Sequence, residues 1–497
     1  MSASGRGLIV ALLGLQLVRG LLYAFLIPLW QHPDEIGHFE YARLIADHRR
    51  THLDLPLDGT VAYRVLVKLG HEDPPEGGGT SHAELRRAII ASLERHRFWE
   101  IRPHLNPSDT FVNNELRQPP LAYLGGGGIL RALGPGSIER DLYALRIVDV
   151  LLSVVVVALA CGLGRALFPG RPLLALAPAA FVTFLPQYSA LAGSVTNDKP
   201  VEVVATGIAW LLVRTARRPS RIRDAMLTAG LVLVGLLTKL TALFLVPALL
   251  TVWDWRRARR AGARWWWYGA TRLGVAVVLV WAFARARLWL PGSARAVGTA
   301  IGGLPAGVER LVHGLGLGLH ELLAGSLSEH VLYRVDYFPP TPTFLRRYFA
   351  VLFSGFWGNF GHMEAPLPIP LYAALALASG AALVGLGRCA LATRRGRGLA
   401  GWQADALVAM CLLAGWSFAV TFIRDGLVQS YSQGRHLFPV LVPMAVLVVV
   451  GLRWIVPRLD DRQFVTAMVL ALALVDVLGL VLTVLPHFYG VSLLGAL

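Results

Sequence analysis

This chain is short of charge, of lysine and of cysteine, and each shortage excludes something. Only 16% of its 497 residues are charged, against 55% hydrophobic, and its mean hydropathy is +0.55. That balance excludes a water-soluble globular protein and predicts an all-α polytopic membrane protein. Lysine occurs only at Lys68, Lys199 and Lys239, so the formal charge of +16 is almost all arginine. Much of it lies in short loops between apolar runs, which suits membrane orientation and gives no reason to expect nucleic acid. Cys161, Cys389 and Cys411 fall within or at the inner ends of apolar runs, so neither an external disulfide nor a cysteine metal site is implied. Nor does the sequence repeat itself with matching broken helices in two halves, the mark of many alternating-access transporters.

What is present is a series of apolar runs. The first, Leu8 to Pro28, is too long for the core of a signal peptide and has no Ala-x-Ala site, so it reads as a retained helix. Further runs lie near 143–167, 174–192, 199–213, 224–238, 240–253, 272–290, 368–387, 404–423, 436–455 and 464–485. Arginine clusters at 214–223, 256–264, 388–397 and 453–462 go to the cytoplasm by the positive-inside rule. About eleven spans follow, with the N-terminus inside and the C-terminus outside. The chain is then one integral membrane domain, 1–497. It divides into a first helix (1–28), a large external loop (29–142), six helices (143–290), a second external loop (291–367) and four helices (368–497). Residues 121–133 are apolar, but thirteen residues at ~1.5 Å each cover roughly 20 Å of a ~30 Å hydrocarbon core. Gly125–Gly128 also cost roughly 1 kcal/mol each in a helix. This segment is expected as an interfacial or re-entrant element, and Phe344–Phe360 as an external element at the membrane surface.

Behind the first run stands His32-Pro-Asp-Glu-Ile-Gly-His-Phe-Glu-Tyr41. Asp34 and His38 share a helical face, with Glu35 beside them. An N-cap for an interfacial helix needs one carboxylate, and leaves the rest of a Pro-Asp-Glu-x-x-His cluster at a membrane mouth unexplained. The predicted topology sends other polar groups to the same face: Glu115 and Gln118 before Tyr123, Asn197 and Asp198, Lys239 in an apolar hairpin, Arg346 before Trp357, and Arg435 with His436. A lysine in an apolar hairpin costs up to ~2.5–3.5 kcal/mol if deep. As a compact point charge it suits a phosphate.

These motifs resemble a family. Pro33-Asp-Glu-x-x-His38-Phe-x-Tyr41, Gln118-Pro-Pro-Leu-x-Tyr123, Pro186-Gln187 with Asn197-Asp198, Thr238-Lys239, Phe356-Trp-Gly-x-Phe-Gly361 and Gln433-Gly-Arg-His-Leu-Phe-Pro439 occur in that order. Together they look like a bacterial family of predicted membrane proteins of unknown function, itself similar to the GT-C glycosyltransferases. The resemblance implies a GT-C-like bundle with interfacial helices in two large external loops. It also implies a sugar taken from a polyprenyl-phosphate carrier on the outer face of the plasma membrane, with Asp34 as base and Glu35 as its neighbour or substitute. Two departures stand out: the Gly125–Gly128 run, and His436 where a tyrosine is expected.

The chemistry is consistent with those residues. An acceptor hydroxyl attacking an anomeric carbon needs a base for its proton and cations for the departing phosphate. Asp34 would take the proton late, as in inverting glycoside chemistry. Lys239 and Arg435, with Arg346 in reserve, would hold the phosphate, and Tyr41, Tyr123 and Trp357 would stack the sugar. The acceptor is a glycan, lipid or protein. Asp34, Glu35 and His38 would also accept Mg or Mn as a hard-ligand site. A flippase or transporter of lipid-linked sugars is the alternative function, and it would line its path with charges at mid-bilayer. Arg19 and Asp476, inside apolar runs, are the charges for which the sequence offers no account.

Overall fold

A computed structural model of the chain describes residues 3–48, 115, 118–218, 220–261, 342–361, 363–428 and 432–491. The predicted span at 272–290, most of the first loop and residues 291–341 lie outside the described residues. The described chain is helical, apart from one two-residue antiparallel pairing of β1 (Asn359–Phe360) with β2 (Ala365–Pro366).

The helices follow the apolar runs. They are α1 (Ala3–Leu26), α2 (Glu35–His48), α3 (Leu121–Leu133), α4 (Ile138–Leu167), α5 (Pro172–Phe184), α6 (Pro186–Ala192), α7 (Asp198–Arg217), α8 (Ile222–Thr238) and α9 (Leu245–Ala261). After the gap come α10 (Pro342–Trp357), α11 (Ile369–Arg394), α12 (Gly401–Thr421), α13 (Leu441–Ile455), α14 (Asp461–Gly479) and α15 (Leu485–Tyr489). Among the described residues, six helical stretches are long and apolar enough to cross a membrane, and a seventh is made if the bent pair α5–α6 counts as one. This is a multi-pass membrane protein. Large apolar side chains stay exposed along the bundle, among them Val18 and Phe25 on α1, Met226 on α8, Leu377 and Leu383 on α11 and Leu470 on α14. Such a belt suits lipid.

One local feature differs from the sequence reading, and another is explained by packing. The run at 174–192 is not one straight helix: it bends by 65° at Leu185. Pro186 has no N–H to continue the ladder and pushes Leu185 into extended backbone (φ −71°, ψ 114°). The Gly125–Gly128 run, in turn, is helical despite its poor propensity. α3 packs on α2, and a Cβ at Gly127 would lie 2.8 Å from Ile45 Cγ2 and 2.9 Å from the Ala42 carbonyl. Close packing of the two helices overrides the intrinsic cost.

The core lies where α4 meets α1, α5 and α7, and where α13 meets α11 and α12. The two unexplained charges sit inside it, paired with each other. The Arg19 guanidinium on α1 grips both carboxylate oxygens of Asp476 on α14, with Nη2 2.7 Å from Oδ1. Its remaining donors reach the Thr183 carbonyl at 2.9 Å and Ser189 Oγ at 3.1 Å, at the α5–α6 bend. A buried pair with its other valences filled ties the first and last long helices together.

The arginine clusters gather at one end. Arg171 pairs with Asp461, and Arg259 with Asp405 and the Gly401 carbonyl. Gln403 donates to the Leu167 carbonyl at 2.9 Å, joining α12 to α4 at that end. Asp34, Asp198, Lys239 and Arg435 lie at the other.

Candidate functional site

The turn behind α1 places Asp34 in the left-handed region (φ 61°), a conformation Asp tolerates better than most residues. Its carbonyl accepts the His38 N–H at 3.1 Å and so starts α2. Among the described residues the carboxylate accepts no hydrogen bond from a helix N-terminus. It is ion-paired with Arg435, which arrives from the distant segment before α13. Arg435 is held in place from two further sides: Nη1 donates to the Pro33 carbonyl at 3.1 Å and Nε to Gln433 Oε1 at 2.6 Å. The glycine between these two residues has a mechanical reason, because a Cβ on Gly434 would run into the Phe356 backbone nitrogen at the end of α10. His436, in the place where a tyrosine is expected, bonds Asp425 at 2.6 Å.

The Asp34 and Arg435 side chains differ in exposure, at 49% and 6%. Burial pushes the Asp34 carboxyl up, but Arg435, His38 and His436 together outweigh it and hold it down at about 2.

Glu35, read from the sequence as a neighbour or substitute for the Asp34 base, has its carboxylate fully engaged by partners within the protein. It is fully buried, and both oxygens are taken by Arg146 of α4, at 2.8 and 2.6 Å. They also accept the backbone N–H groups of Trp30 at 3.0 Å and Val195 at 3.2 Å. Arg146 spends its other donors on the carbonyls of Ala24, Ile27 and Pro28. This clamp fastens the end of α1, the Asp34 turn and the segment before α7 to α4.

His38, Tyr41, Glu115 and Tyr123 form one cluster. The Tyr123 hydroxyl lies 2.8 Å from His38 Nδ1 and donates to Glu115 Oε2 at 3.1 Å, and its ring stacks on Tyr41 at 4.0 Å between centroids. Burial lowers the His38 pKa, with Glu115 acting against it. Tyr41 and Tyr123 are both buried in this contact, so neither offers a free face to a sugar. Trp357 is core as well, edge-on to Phe181 at 5.8 Å. The three rings expected to stack a sugar are thus packed against protein in this structure.

Asp198 and Lys239 pair at 2.5 Å, both nearly buried. Thr196 Oγ1 adds a 3.2 Å bond to Asp198, and the Thr196 N–H donates to Asp149 of α4 at 2.8 Å. Gln118 Oε1 accepts the Leu240 N–H at 3.4 Å, linking the Pro-Pro motif to the Lys239 turn. Asn197 is fully buried, and neither atom of its amide has a hydrogen-bond partner among the described residues. A small cavity of about 10 Å³ is lined by Ser194, Thr196, Asp198, Lys199, Glu202 and Arg435, with Leu191 and Phe438. Arg435 and Asp198 thus line the same cavity.

Arg346 stands apart on the exposed side of α10, with no hydrogen bond or ion pair among the described residues. The trio Asp34, Glu35 and His38 is divided: one carboxylate goes to Arg435, one to Arg146, and the imidazole to Tyr123. No group of three or more His, Cys, Asp or Glu residues spaced for a metal forms among the described residues. Arg146, Asp149 and the Lys199–Glu202 pair (3.0 Å) are site residues that the motif reading does not reach. The signal was available in Arg146-x-x-Asp149, two opposite charges one helical turn apart at the start of an apolar run.

The fold and the site together define a helical multi-pass membrane protein with a paired-charge polar centre at one end of its bundle. Within that class the chain belongs to the predicted membrane protein family DUF2142, whose model matches residues 17–444. No curated protein matches it.

Proposed function

We propose that this chain is a membrane glycosyltransferase of the GT-C type. In this reading it is a bundle of about eleven transmembrane helices with interfacial helices in its two large loops. It moves a sugar from a polyprenyl-phosphate donor to an acceptor hydroxyl on the outer face of the bacterial plasma membrane, in glycan, glycolipid or glycoprotein assembly. The observation that carries the proposal is the half-exposed Asp34 carboxylate held beside Arg435 at the polar end of the bundle. That is a base and a phosphate cation side by side. Asn197, buried with no partner for its amide among the described residues, leaves hydrogen-bonding capacity beside Asp198 that a bound polar group would fill.

The acceptor oxygen attacks the anomeric carbon as the bond to the phosphate oxygen breaks, inverting the centre. The hydroxyl proton passes to Asp34, and the polyprenyl phosphate leaves with its charge held by Arg435. Lys239, already paired with Asp198, adds its field and the shape of the site rather than a free charge. Transport of lipid-linked sugars is the second reading. The pairing of Arg19 with Asp476 counts against it, since those interior charges already satisfy each other.

The test is native mass spectrometry of the purified protein for a co-purifying polyprenyl-phosphate sugar, followed by hydroxyl-acceptor-dependent consumption of that lipid. Consumption supports transfer; movement of the intact lipid across a vesicle without consumption overturns it. The face is tested by cysteines placed at Gly136 and Ser220. An impermeant maleimide should label the first in intact cells and the second only after permeabilisation.

A further inference from the structure

We infer that the Asp34–Arg435 pair is a latch opened by the donor: the donor's phosphate replaces the Asp34 carboxylate on Arg435, and only the displaced carboxylate takes the acceptor's proton. This rests on the glycosyltransferase reading above. The site as it stands holds its cations paired, Arg435 with Asp34 and Lys239 with Asp198. An entering phosphate must therefore exchange for a carboxylate.

The geometry says which pair exchanges. Asp198 and Lys239 are both nearly buried, and Thr196 Oγ1 gives Asp198 a second bond. Opening that pair would strand a buried charge. Arg435 is likewise fixed, by Gln433 Oε1, by the Pro33 carbonyl and by the seat that Gly434 allows. Asp34 is the loose member. Its side chain is 49% exposed, and among the described residues its carboxylate has Arg435 as its one side-chain partner. Nη2, the guanidinium nitrogen that Asp34 holds, can donate to a phosphate oxygen as it does to a carboxylate oxygen, with the same charge assistance.

Exchange also improves the base. While Arg435 holds it, the Asp34 carboxyl stays near 2 and takes a proton poorly. A phosphate in its place neutralises Arg435 and sets a negative charge nearby, and both effects make the freed carboxylate more basic. Proton transfer is thereby confined to the state in which a donor is bound. The step balances: the acceptor O–H bond and the anomeric C–O bond break, the glycosidic bond forms, the proton goes to Asp34, and the leaving phosphate keeps the electron pair opposite Arg435.

Binding of farnesyl phosphate and of farnesol to the full-length protein in detergent tests the latch. If the pair is closed about nine tenths of the time, removing its carboxylate should tighten phosphate binding about tenfold. Asp34→Asn is expected to show that gain for farnesyl phosphate and none for farnesol. Asp34→Glu, which keeps a competing charge, should stay within about twofold of the wild-type protein, and Arg435→Ala should lose at least about tenfold. Asp34→Ala replaces Asp34→Asn if the latter does not fold. Equal farnesyl phosphate binding by the wild-type chain and Asp34→Asn, with Arg435→Ala still weakened, overturns the latch and leaves the donor reading standing. If the wild-type chain and Arg435→Ala bind farnesyl phosphate and farnesol alike, the donor reading fails and the latch with it.

Discussion

Asp34 and Glu35 are adjacent in sequence, and each meets an arginine from a distant helix, yet the two pairs are opposites. Glu35 and Arg146 are entirely buried, every oxygen of Glu35 accepts hydrogen bonds, and the arginine's spare donors end on three carbonyls. Asp34 is half exposed and bonded through one oxygen, to an arginine fixed by other partners. A saturated pair out of water has nothing left to offer a substrate and much to lose if broken. An unsaturated pair at the surface of a polar opening can exchange partners. What separates architecture from chemistry here is exposure and unfilled valence, and the carboxylate as such decides neither.

The sharpest way to break this comparison is at Asp34. Asp34→Asn should lower sugar transfer by ~10²–10⁴-fold, the range for a positioned base. Its melting temperature in detergent should stay close to that of the unsubstituted protein. Normal turnover in that variant would erase the contrast.

Glu35→Gln should do the reverse. Breaking the buried pair costs about 3–5 kcal/mol of stability, so folded yield and melting temperature should fall. Activity per folded molecule should change far less than in Asp34→Asn. A stable but inactive Glu35→Gln would restore Glu35 as a base.

Lys239 sharpens the comparison from the middle, since its pair with Asp198 is buried while Asp198 lines the same cavity as Arg435. Lys239→Ala should cost about 3 kcal/mol, the lower end of the buried-pair range. The double variant Lys239→Met with Asp198→Asn should recover about half or more of that loss, as expected when no charge is left stranded. A Lys239→Ala protein of unchanged stability but poor donor use would return Lys239 to direct phosphate binding.

Much of the fold is legible in the residues themselves. Apolar runs mark the helices, and the arginine clusters mark one end of the bundle. The ordered motifs behind α1, before α3, around Asp198 and before α13 do meet at one place. Local pattern serves less well where packing decides. The Gly125–Gly128 run looks too costly to be helical until α2 is laid against it. Tyr41, Tyr123 and Trp357 look like sugar platforms until their faces are seen to be covered. Arg19 and Asp476 look like unexplained charges because 457 residues separate the two halves of one pair.

Sequence by itself determined that this protein lives in a membrane, that the arginine clusters share one end of its bundle, and that Asp34 stands at the mouth of the first helix. Those facts follow from hydropathy, charge and order along the chain. Only the tertiary structure decided which acid was spent and which was kept. Partners for Asp34 and Glu35 come from Arg435 and Arg146, hundreds and about a hundred residues away, and burial and saturation are properties of the assembled bundle.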